Sequence, residues 1–83
     1  MYRIVLHKSA SKKIAKLSKD LKNKIAMSIE HLSLNPYVGK KLHGELEGSY
    51  RIRIGDFRIV YDISENDKTV IIHALGSRGD IYK

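Results

Sequence analysis

Residues 49–63 read "SYRIRIGDFRIVYDI", and apolar and polar side chains alternate on both sides of Gly55-Asp56. That is the pattern of a β-hairpin closed by a two-residue turn, and glycine in the first turn position suits type II′. With that turn, Ile54 faces Phe57, Arg53 faces Arg58 and Ile52 faces Ile59. Alternation then sorts the side chains. Tyr50, Ile52, Ile54, Phe57, Ile59, Tyr61 and Ile63 share one face. Arg51, Arg53, Arg58, Val60 and Asp62 share the other. Like charges directly opposite one another in a sheet are destabilising, by up to about 1 kcal/mol per pair. A small domain has little stability to spare, so three arginines on one face make sense where an anion visits that face.

The rest of the chain can be read outward from this hairpin. Residues 69–76 form a further strand after a turn at Glu65-Asn66-Asp67-Lys68. Continued alternation puts Val70, Ile72 and Ala74 on the core face. It puts Ile71, His73 and Leu75 on the arginine face, which then has an exposed apolar floor of Val60, Ile71 and Leu75. Upstream, "YRIVLH" (2–7) alternates and is rich in β-branched residues, so it reads as a strand. Residues 8–36 switch to a helical period, with Ile14, Leu17 and Leu21 on one stripe and Leu21, Ile25, Ile29 and Leu32 continuing it. The spacing predicts two helices, 9–18 and 20–34, capped by Ser9 and Asp20 and stopped at Asn35-Pro36. "YVGKKLHGELEG" (37–48) carries three glycines and reads as a loop, with Leu42 and Leu46 touching the core. The order is β-α-α-β-β-β. The predicted fold is α+β, a two-helix hairpin packed on one face of an antiparallel sheet.

Composition narrows the function. Eighty-three residues suit one domain, residues 1–83. The chain has no cysteine, and His7, His31, His43 and His73 lack ligand spacing, so neither a metal nor a cofactor is expected. The start "MYRIVLHK" is too short and too alternating for a signal peptide. No apolar run approaches the ~20 residues that span a membrane, and the expected location is the cytoplasm. Sixteen Lys and Arg against nine Asp and Glu give a net charge of +7, which favours polyanionic or acidic partners. Six of the eleven lysines crowd residues 12–24, whereas four of the five arginines fall between residues 51 and 78. Lysine supplies bulk charge; arginine is a rigid fork matched to phosphate oxygens.

The chain ends "ALGSRGDIYK". Arg78 and Tyr82 follow the last strand, where a short tail can fold over the end of the arginine face. Arg51, Arg53, Arg58, Arg78 and Tyr82 therefore form the candidate constellation. Several arginines around one phosphate stabilise the extra charge of a pentacoordinate transition state. A tyrosine offers a hydroxyl for proton transfer and a ring for base stacking. RNA brings its own nucleophile, the 2′-hydroxyl. His73 reads as an ordinary strand residue. Glu45 and Glu47 sit in the loop with no partner histidine, which argues against an acid–base pair.

"SYRIRIGDFRIVYDI" followed by "LGSRGDIYK", after a basic helical hairpin, resembles the RelE toxins of the RelE/ParE superfamily. The resemblance spans the chain and is strongest over residues 42–83. It implies a toxin of a type II toxin–antitoxin pair that cleaves mRNA in the ribosomal A site by 2′-hydroxyl attack, without a metal. Its partners would be the ribosome and a RelB-like antitoxin covering the arginine face or displacing the tail. Position by position, Arg51 and Arg53 match a basic pair that is lysine in well-known members. Arg58 matches the next strand arginine, Arg78 the arginine after the last strand, and Tyr82 the terminal tyrosine. Ser77 stands where many relatives have histidine. Arginine does not deprotonate in proteins, which leaves Tyr82 as the candidate base. Lys12, Lys13, Lys16, Lys40 and Lys41 are candidate rRNA contacts through sequence-blind phosphate attraction. Two other readings stand beside this one: a ParE-like inhibitor of DNA gyrase, and a non-catalytic basic module that binds RNA or protein.

Overall fold

The computed structural model describes residues 1–42 and 48–77. At its centre is the arginine hairpin. Strands β3 (Tyr50–Ile54) and β4 (Phe57–Ser64) pair antiparallel, with Ile54 opposite Phe57, Arg53 opposite Arg58, and Ile52 opposite Ile59, as the two-residue turn requires. Gly55 has φ +59°, whereas Lys68 is the only described non-glycine residue with positive φ. Positive φ at the first turn position alone is what type II′ has; type I′ needs it at both.

β5 (Thr69–Ser77) pairs with β4, and here simple alternation fails. Ile63 faces Val70 and Tyr61 faces Ile72, as expected, but Val60 faces Ala74 and Ile59 faces Leu75, with the register slipping between Val60 and Tyr61. One extra residue on β5, at His73, makes a β-bulge. A slip of one residue exchanges the faces beyond it. Leu75 therefore enters the core at 1% exposure, and Ala74 takes the place expected for it on the arginine face. The exposed apolar floor is corrected with it. Leu75 has left that face, and Val60, flanked by Arg51 and Ala74, is itself only 1% exposed.

The full sheet order is β1-β5-β4-β3-β2. β1 (Arg3–Leu6) runs parallel to β5, so the sheet is mixed rather than antiparallel. Alternation marks β1 as a strand but does not carry its direction. The direction is set by the route of the intervening helices, as parallel neighbours always need a long crossover. β2 is a two-residue strand, Lys40–Lys41, inside the segment read as loop. It pairs antiparallel with β3, Lys40 opposite Arg51 and Lys41 opposite Tyr50.

Helices α1 (Lys8–Ala15) and α2 (Lys19–Leu34) cover the other face. Their caps each lie two residues upstream of those expected. The His7 ring accepts from the Ser9 amide at 3.2 Å, and the Ser18 hydroxyl accepts from the Leu21 amide at 3.3 Å. Asp20 lies in the first turn of α2, where a negative charge meets the positive end of the helix dipole. The core joins Ala10, Ile25 and Leu32 from the helices to Ile54, Ile59, Tyr61, Val70, Ile72 and Leu75 from the sheet. Leu21, Ile29 and Ile52 pack at its margin. Beyond α2, a 3-10 turn (Pro36–Val38) is pinned to the sheet by Tyr61. The Tyr61 hydroxyl donates to the Pro36 carbonyl at 2.7 Å and accepts from the Gly39 amide at 3.1 Å.

Candidate functional site

The registers of four strands set out the face away from the helices as a grid. One row crosses Lys40, Arg51, Val60 and Ala74, on β2, β3, β4 and β5 in turn. The next row, toward the hairpin turn, is Arg53, Arg58 and Gly76. Strand pairing thus brings together Arg51, Arg53 and Arg58, as the sequence predicts, and adds Lys40. Arg51 and Arg58 are half-buried and Arg53 is exposed, its Nε donating to the Gly55 carbonyl at 3.4 Å. Gly76 has no side chain to crowd the space beside Arg58. Four cations on the hairpin and its neighbour make a basic surface that can meet an anion such as a phosphodiester, since bidentate guanidinium–phosphate contacts fix orientation as well as charge.

The other expected residues are placed differently. Lys41 falls opposite Tyr50, on the helix face of the sheet. Lys12, Lys13 and Lys16 are exposed at the C-terminal end of α1, in the layer that covers the opposite face from the arginines. Arg78 and Tyr82 lie outside the described residues, as do Glu45, Glu47 and Leu46. Among the described residues no group of three His, Asp or Glu side chains could hold a metal ion.

A further polar group shares the arginine face. Ser49 precedes β3, and its hydroxyl donates to Asp62 Oδ1. His73 Nε2 lies 3.4 Å from that oxygen and 3.4 Å from Ser49 Oγ. Ser49 is buried, at 7% exposure, while Asp62 and His73 are partly open. His73 is the extra residue of the bulge, and its ring lies beside Asp62. Alternation placed Asp62 and His73 on this face, but nothing in the sequence showed that they touch each other or Ser49.

Comparison with known proteins places this arrangement in a family. The family model described as the ParE toxin of the type II toxin–antitoxin system parDE matches residues 4–82. The chain is 36% identical over 87 residues to the protein named toxin RelE4 of Methanocaldococcus jannaschii, covering 100% of this chain and 93% of that one. The chain belongs to the RelE/ParE family of type II toxins. Solved structures agree on the fold. The isolated RelE toxin of E. coli superposes with a TM-score of 0.83 at 21% identity, over 99% of this chain and 92% of that one. The RelE of the Pyrococcus horikoshii RelE–RelB complex gives 0.78 at 28% identity, over 95% and 97%. This RelE-family chain therefore carries its two helices on one face of a five-stranded mixed sheet, as those relatives do.

Proposed function

We propose that this toxin is a ribosome-dependent endoribonuclease that cuts mRNA in the ribosomal A site, with the RNA 2′-hydroxyl as nucleophile and no metal. The observation that carries the reading is the grid of Lys40, Arg51, Arg53 and Arg58 on one face of the hairpin. Fixed cations aimed at a phosphate stabilise the charge that develops in the transition state and need no reorganisation during reaction. The reading also assigns Arg78 and Tyr82, which follow the last strand in sequence, to the catalytic set. The ribosome supplies the remaining orientation by holding the codon in place, which is where much of the rate of such a reaction originates. Lys12, Lys13, Lys16 and Lys41, set apart from the grid, contact rRNA phosphates. The toxin acts in the cytoplasm, where ribosomes are. Its regulator is an antitoxin of the RelB kind, in keeping with the RelE–RelB complex of the P. horikoshii relative. The antitoxin brings acidic residues to the arginine face or displaces the tail.

The test incubates purified toxin with one mRNA, alone and on programmed ribosomes, and analyses the new ends. The reading expects cuts only in the presence of ribosomes, leaving 2′,3′-cyclic phosphates. Equal cutting of free RNA, or none in either case, counts against it. A second reading, inhibition of DNA gyrase, is favoured by the ParE description of the matching family model. A supercoiling assay decides it. Loss of gyrase activity at stoichiometric toxin, with ribosomal mRNA intact, would replace the first reading by the second.

A further inference from the structure

We propose that His73 is the group that takes the proton from the attacking 2′-hydroxyl, with Asp62 and Ser49 as its positioning residues. The proposal rests on the endoribonuclease reading and assigns that reaction a base. The arginines of the grid and the Lys40 ammonium are donors only, so the grid of cations lacks a proton acceptor, and Tyr82, the base expected from the sequence, lies outside the described residues. Histidine is the side chain whose ordinary titration falls near neutral pH.

The hydrogen bonds fix which nitrogen is available. Ser49 gives its hydroxyl proton to Asp62 Oδ1, so Ser49 Oγ presents only lone pairs to the imidazole. Asp62 Oδ1 is an acceptor as well, and both oxygens lie 3.4 Å from His73 Nε2. A nitrogen facing two acceptors carries the proton. The neutral ring is thus held as the Nε2–H tautomer, and Nδ1 keeps the lone pair that can act as base. This is the logic by which a carboxylate orients a catalytic imidazole in hydrolase triads, with the two ring nitrogens exchanged. Ser49 is no nucleophile here, since it is buried and its proton is committed to Asp62.

Placement supports the same role. The ring reaches from β5 past β4 to Ser49, which shares a face with Arg51 two residues along, about 7 Å away at the rise of a strand. The charged groups on that face, among the described residues, are Asp62 and Arg58 from β4, Arg51 and Arg53 from β3, Lys40 from β2, and Arg3 from β1 on the other side of β5. The described part of β5 adds no other charge. A phosphate held by the arginines would lie beside the imidazole. In the step, the 2′-oxygen bonds to phosphorus as its proton passes to Nδ1. The bond from phosphorus to the 5′-oxygen breaks, and that oxygen leaves with the electron pair and takes a proton from water. His73 then returns its proton to solvent.

The test measures single-turnover cleavage of ribosome-bound mRNA against pH for the wild type, His73→Gln and Asp62→Asn, with nitrogen-15 NMR of the His73 ring in the free toxin. His73→Gln should slow cleavage about 10²-fold at neutral pH and flatten the fall in rate that the wild type shows as pH drops. Asp62→Asn should slow it too, because an amide can donate to Nε2 and move the proton to Nδ1. NMR should find the neutral wild-type ring protonated at Nε2. A His73→Gln protein that cleaves as fast as wild type with the same pH dependence overturns the proposal, and so does a neutral ring protonated at Nδ1. A wild type that never cleaves on ribosomes overturns the endoribonuclease reading, and the base assignment with it.

Discussion

On the proposed reading, Arg58 is the residue on which cleavage most depends. It stands on the central part of the sheet, opposite Arg53 on one side and Gly76 on the other. Its face is not the one packed against the helices, so truncation opens no cavity in the helix-facing core. Arg58→Ala should keep a cooperative melting transition and lower cleavage by about 10²–10³-fold, the usual cost of one transition-state donor. Circular dichroism and ribosome cleavage on the same sample check both halves. Tyr61 plays the structural counterpart on the other face. It is fully buried, and burial pushes its phenol up to about 12, with the Gly39 amide pulling the other way. A folded value above the unfolded one of about 10 means the stabilisation is complete below pH 10. It is lost as pH rises from there toward 12. Denaturant midpoints should fall across that window, and in Tyr61→Phe they should fall less steeply. That variant should also lose about 1 kcal/mol at neutral pH, since the half-buried Gly39 amide is left without its acceptor.

At the scale of elements, the bulge in β5 decides which residues are core. The hairpin was legible in the sequence because Gly55-Asp56 fixes a two-residue turn and every polar residue of 50–63 then agrees on one face. The far half of β5 was not. Residues 70–75 are apolar apart from His73, and a uniformly apolar run gives alternation nothing with which to reveal a slip. The same uniformity hid the contact of His73 with Asp62. Two substitutions separate the bulged register from the regular one. Leu75→Ala should cost about 2–5 kcal/mol, as for a buried leucine, whereas Ala74→Ser should change stability by less than about 0.5 kcal/mol. Chemical denaturation measures both, and the reverse ranking would restore the regular strand. Gly39 marks another junction that the sequence left unread. A Cβ there would stand 2.2 Å from the Tyr61 hydroxyl and 2.9 Å from the Arg51 carbonyl. Gly39→Ala should therefore disturb the contact between the 3-10 turn and β3, and lower the melting temperature.

Over the whole molecule, the two layers divide the work. The helices and the core face of the sheet supply stability, and the opposite face is left to the cations. The parallel placement of β1 beside β5 escaped the sequence because pairing direction depends on the path through both helices, which no local pattern records. The net charge of +7 acts at this scale too. It should raise the rate of encounter with ribosomes, and the association rate should fall steeply as salt rises, as stopped-flow binding at several ionic strengths would show. A salt-independent rate would mean that the basic surface does not steer binding. The central claim is that the arginine face of the hairpin performs cleavage on the ribosome. Its most direct test is primer extension along an mRNA carried by translating ribosomes, with wild-type toxin and Arg58→Ala side by side. The account predicts new 3′ ends within A-site codons for the wild type and almost none for a folded Arg58→Ala. Identical truncations from both proteins, or full-length mRNA with the wild type, would contradict it.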